Sequence, residues 1–85
     1  MIQKLFTVYD SKAETYLQPF CAPTKGIAIR SFQDSVRDTS SNLHKYPEDF
    51  TLFELGSYDQ SKATFSLHPS PQSVGVAIEF LEPKA

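Results

Sequence analysis

The segment from Tyr46 to Asp59 constrains the fold more than any other part of the chain. It reads Tyr46-Pro47-Glu48-Asp49-Phe50-Thr51-Leu52-Phe53-Glu54-Leu55-Gly56-Ser57-Tyr58-Asp59. Pro47 presets a turn, and Glu48 and Asp49 suit the polar positions that follow it. Phe50 to Leu55 is then a clear strand, and Ala63 to Leu67 reads as another. Ser57 to Lys62 joins them as a hairpin loop. In such a hairpin Phe53 and Leu55 share a face with Ala63, Phe65 and Leu67.

The rest of the chain adds one more strand and one helix. Ile2 to Tyr9 alternates so that Ile2, Lys4, Phe6 and Val8 share one face and Gln3, Leu5, Thr7 and Tyr9 the other. Both faces carry apolar residues, so this strand is expected to be central or covered on both sides. Asp10-Ser11-Lys12 is a turn cluster. Pro19 makes Thr15 to Phe20 an irregular extended segment. Thr24 to Asp38 is the clearest helix. Thr24 can cap it, and Ala28, Ile29, Phe32 and Val36 form one apolar stripe. Arg30 and Asp34 form an i,i+4 pair on the other side. Thr39 to Lys45 reads as a polar loop, and His68-Pro69-Ser70-Pro71 as a break in the sheet. Ser73 to Leu81 fits a short helix or a strand, with the helix slightly favoured.

These elements predict an α+β fold, with a small antiparallel sheet, one main helix and a short C-terminal helix or strand. At 85 residues, the chain is expected to form one domain spanning residues 1–85. A chain this short buries only about 60–65% of its unfolded surface, so a partner subunit would help, and a homo-oligomer is expected. No apolar run reaches the roughly 18–20 residues of a membrane span, and the start lacks a signal peptide's apolar stretch. No internal repeat is apparent.

Few chemistries fit. A single cysteine, Cys21, excludes an internal disulfide and any zinc site of four cysteines or of two cysteines and two histidines. Between Phe20 and Ala22 it is expected to be a small buried hydrophobe. Glu48 and Asp49 are the only candidate carboxylate pair, but adjacent residues of an extended chain point apart. His44 reads as exposed, and His68 as the end of a strand. Neither has a nucleophile and orienting group in view. No nucleophile elbow and no phosphate loop occurs. Catalysis and cofactors are therefore not expected.

Phe and Tyr make up 13% of the chain, without Trp. Single-stranded nucleic acid is held by stacking bases on such rings beside cations. Tyr9, Tyr46 and Tyr58 lie at predicted element ends, with Lys12, Lys45 and Lys62 nearby. Lys25 and Arg30 on the helix complete a candidate nucleic-acid-binding set. The competing reading has these tyrosines covering the core edge with their hydroxyls in water. A net charge of −2 opposes an affinity built on many phosphate contacts.

Several pieces together resemble a known family. They are Val8-Tyr9-Asp10-Ser11-Lys12-Ala13, then Pro19-Phe20, then Gly26, Ala28, Arg30 and Phe32, and finally Pro47 to Asp59. The combination is similar to the small nonstructural protein of gokushovirus-type microviruses, which are single-stranded DNA phages. Phe50 and Tyr58 are aromatic swaps within the pattern. Ala63 stands close to where the pattern carries a glycine after the hairpin's Asp. The resemblance implies a nonstructural role in the cytoplasm of an infected bacterium, in viral DNA synthesis or in the switch to packaging single strands. It implies no catalytic residues. Single-stranded DNA or replication proteins are the expected partners. A module that redirects a host or viral protein without contacting DNA is the alternative.

Overall fold

The computed structural model describes residues 1–81. Its strands are β1 (Ile2–Asp10), β2 (Thr15–Tyr16), β3 (Phe20–Ala22), β4 (Phe50–Asp59) and β5 (Thr64–Val76). Its helices are α1 (Lys25–Arg37) and α2 (Asn42–Lys45), with a 3₁₀ turn at Ala77–Phe80. The strands form one antiparallel sheet in the order β2-β1-β4-β5, with β3 also beside β1. Strand takes 46% of the described residues and the sheet curls into a half-barrel, so the fold is more sheet-rich than the α+β expectation.

Each element follows from local chemistry. Thr24 is extended, and its Oγ1 accepts the Ile27 N–H at 3.2 Å, satisfying one of the free donors at the start of α1. The apolar stripe then turns Ala28, Phe32 and Val36 fully inward. They pack on Phe6 and Val8 of β1, Phe50 and Leu52 of β4, Ala22 and Ala77. Burying each large side chain there contributes about 1.5–3 kcal/mol. Phe80 of the 3₁₀ turn meets Phe32 edge-on at 5.8 Å, and Arg37 Nε donates to the Phe80 carbonyl at 3.2 Å. The expected helix and stripe are both present.

Five expectations need correction. Asn42–Lys45 is a short helix and not a loop. Ser41 caps it by accepting the His44 N–H at 3.2 Å, and Leu43 packs against the core. His44 is half-buried, with Nδ1 3.0 Å from the Val36 carbonyl. The His68-Pro69-Ser70-Pro71 segment interrupts the pairing with β4, as expected, but does not end the strand. β5 runs through it, although its register with β4 jumps from Leu67 to Gln72 there. β5 is an edge strand, so prolines on it cost no ladder bond. Residues 73–81 are strand and then 3₁₀ turn, divided after Val76. A Cβ on Gly75 would meet the Phe80 ring at 2.8 Å, so with any other residue the ring would have to shift from this position. Cys21 is exposed and not buried. Its neighbours Phe20 and Ala22 take the inward positions of β3, and alternation sends Cys21 to the other face.

The sheet has two hairpins built alike. Tyr9-Asp10 and Thr15-Tyr16 pair across four intervening residues, as do Tyr58-Asp59 and Thr64-Phe65. The Asp10 carboxylate accepts the Lys12 N–H at 3.0 Å, and that of Asp59 accepts the Ser61 N–H at 2.9 Å. Glu14 and Ala63, at the same place in the two turns, both have φ of 56°. This short pattern is the repeat that the sequence reading missed. A left-handed conformation costs a residue with a Cβ about 1–2 kcal/mol. Ala63→Gly relieves that and loses part of the gain to unfolded-chain entropy. It is expected to stabilise the fold by roughly 0.5–1 kcal/mol, read as a higher urea midpoint with an unchanged slope.

Candidate interaction face

All helical elements lie on one face of the sheet; the other, open face carries no helix, and only the segment around Leu17 and Pro19 reaches over β1 there, where Leu5 and Thr7 are buried. Residues paired in register share a face, so its composition can be read directly. β1 contributes Gln3, Leu5, Thr7 and Tyr9. Opposite them β4 contributes Tyr58, Gly56, Phe53 and Thr51. β5 adds Phe65, Leu67, Ser73 and Val76. Tyr16 and Cys21 complete it from the broken edge. None of these positions carries a charge.

The open face has relief. A bulge at Leu55 shifts β4 against both neighbours. Beside it lies a hollow of about 520 Å³ lined by Leu5, Pro19, Cys21, Leu55, Phe65 and Leu67, with Tyr58 at its edge. A second hollow of about 290 Å³ lies between Tyr16, Leu17, Pro19, Leu55 and Pro71, with Thr7 at its floor. Thr7 is buried, and its hydroxyl donates to the Leu17 carbonyl at 2.7 Å. Phe65 and Leu67 stand out at the rim, 60% and 65% exposed. Two ring clusters mark the ends. Tyr9 meets Tyr16 at 4.7 Å and Tyr16 meets Phe53 at 5.9 Å. Tyr58 meets Phe65 at 4.8 Å.

The eight residues singled out from sequence fall in separate places. Tyr9 and Tyr58 are half-buried on the open face, in the two ring clusters. Lys12 and Tyr46 come together in a cleft of about 520 Å³ at one end of the sheet, with Asp10, Asn42, Asp49 and Phe50. Lys45 is exposed next to Tyr46. Lys62 lies in the β4–β5 turn, and Asp59 before it pairs with Ile2. That turn is at the far end of β1 from Lys12, about 30 Å away for nine residues. Lys25 and Arg30 are exposed on α1, on the covered side of the sheet.

On that covered side, Glu54 is buried in the register position opposite Phe6. His68, whose side chain is 30% exposed, reaches it from β5 with Nε2 2.7 Å from Glu54 Oε2. Glu54 Oε1 meets no donor among the described residues. His68 is thus a partner to a buried carboxylate and not merely the end of a strand. Glu48 and Asp49 form no such site. Pro47 occupies the turn that the Asp49 N–H closes on the Tyr46 carbonyl at 3.0 Å. Among the described residues one carboxyl is shifted, at the end of α1. The Ser40 hydroxyl, then the Ser40 N–H, hold the Asp38 carboxyl below its ordinary range. Among the described residues, no group of three or more His, Cys, Asp or Glu could hold a metal ion, and no helix is long and apolar enough to cross a membrane.

A family model described as "Phage ORF5 protein" matches residues 3–80. The chain belongs to the phage ORF5 family. It is similar to Protein ORF5 of Chlamydia phage 1, at 42% identity over 64 residues, covering 71% of this chain and 67% of that one. Both findings agree with the microvirus resemblance carried by Val8–Ala13 and Pro47–Asp59. No solved structure matches. In this ORF5-family chain the residues that sequence reasoning missed are those of the open face, chiefly Leu5, Tyr16, Leu17 and Cys21. The signal was present in β1, where Leu5, Thr7 and Tyr9 make a second face that a single helix leaves uncovered.

Proposed function

We propose that this chain is a non-enzymatic phage nonstructural protein that works in the cytoplasm of the infected bacterium. It acts in viral DNA synthesis or in the switch to packaging single strands, and it does so by protein contact through the open sheet face. Family membership supports the phage setting, and the microvirus resemblance supports the step. The observation that carries the contact is the make-up of the face. Its strand positions are uncharged, its centre is apolar and hollowed, and Phe65 and Leu67 project at 60% and 65% exposure. Charge depletion with aromatic enrichment is the signature of the core of a protein contact surface.

A second reading lays single-stranded DNA across the same rings. The twin hairpins favour it, since each sets an aromatic pair beside a turn lysine, Lys12 in one and Lys62 in the other. Two phosphate contacts would give a salt slope of about −1.4, a weak dependence.

The two readings separate in infected cells, by comparing double-stranded and packaged single-stranded viral DNA. Leu67→Asp is expected to cut packaged single strands at least severalfold, while Lys12→Ala with Lys62→Ala leaves them near the wild-type level. The reverse pattern would favour the DNA reading. No change with either variant would sink both.

A further inference from the structure

We infer that the polypeptide covering the open face is a second copy of this chain, so that the working form is a two-fold dimer with its sheets stacked face to face. This rests on the reading of the open face as a protein contact surface, and it names the occupant.

Three observations select a second copy. The first is charge. In a two-fold interface the same patch lies against itself, so a charge near the axis meets its own like. The strand positions of this face hold none, whereas the surface around it carries Asp10, Lys12, Glu14, Asp59 and Lys62 in the two turns. The second is shape. A self-complementary patch needs projections and recesses together. Phe65 and Leu67 project at the rim, and the two hollows either side of Leu55 and Pro19 receive. The third is area. Four strand lanes about 4.8 Å apart and about nine residues long at 3.3 Å each make a face of roughly 600 Å². Burying it on both copies removes about 1,200 Å², the lower bound of a stable interface.

The molecule's thickness fits. One sheet with one helical layer spans only 19 Å in its short direction. Stacking two such sheets about 10 Å apart gives a four-layer sandwich with the helices outside. A second copy also supplies the core that a chain this short lacks on its own.

The test is the solution mass of the purified full chain by sedimentation equilibrium. The expected mass is twice the 9.6 kDa of the chain. Leu67→Asp alters an exposed position, so it should fold, as judged by an unchanged circular dichroism spectrum, and sediment as a single chain. Ile27→Asp makes a like change on α1, away from the face, and should keep the doubled mass. A wild-type chain of single mass overturns the inference, as does a doubled mass that Leu67→Asp leaves intact. A single-mass wild type whose Leu67→Asp phage still loses packaged strands would remove the self-pairing and keep the proposed function. A face-dependent dimer with a normal phage phenotype would do the opposite.

Discussion

Gly56→Ala should destabilise the protein by about 2–5 kcal/mol, the sum of overpacking and backbone strain. Gly56 sits at φ of 155°. There an added Cβ would overlap the Ser66 carbonyl oxygen and stand 2.8 Å from Leu67 Cα. Both obstacles are backbone, so neither can swing aside. The position also follows the Leu55 bulge, where β4 changes register against β1 and β5 at once. β5 would have to move off β4 at Leu67, taking one side of the large hollow with it. At roughly 4–8 °C per kcal/mol for a domain of this size, the melting temperature should fall by about 10 °C or more. A variant that melts with the wild type would mean that β5 is not held this close.

His68→Ala should cost about 1–3 kcal/mol in urea unfolding, although His68 itself is part-exposed. The cost arises at Glu54. Its Oε2 loses the partner at 2.7 Å, and its Oε1 has no donor among the described residues to compensate. The carboxylate is then buried with nothing to offset its lost hydration. The double variant Glu54→Leu with His68→Ala removes both polar groups, so it should recover most of the loss, as expected when a buried pair is replaced by apolar groups. If the single and double variants are equally unstable, the cost lies in the packing of His68 and not in the stranded carboxylate.

The parts of this fold set by local chemistry were legible in the sequence. Thr24 and the stripe at Ala28, Phe32 and Val36 announced α1, and alternation announced β1 and β4. What depended on neighbours distant in sequence was not. Pro69 and Pro71 break a central strand but are harmless on an edge, and nothing local says that β5 is the edge. Cys21 looked buried because its neighbours are apolar, yet those neighbours are what push it outward. The second apolar face of β1 was visible, but the sequence could not say that helices cover only one side. The tyrosine and lysine set was legible as residue types, and the fold distributes it over several places. Tyr9 and Tyr58 lie on the open face, Lys12 and Tyr46 in the end cleft, and Lys25 and Arg30 behind the sheet.

Cys21 offers the most direct measurement of the central claim, that the open face is covered by a second copy of the chain. It is the chain's lone cysteine, a free thiol exposed on the uncovered face beside Leu5. Its alkylation rate should be slow in the folded wild-type protein and rise towards that of the denatured chain in Leu67→Asp. Equally fast alkylation in both folded proteins would contradict the account, because no second copy would then lie over the face.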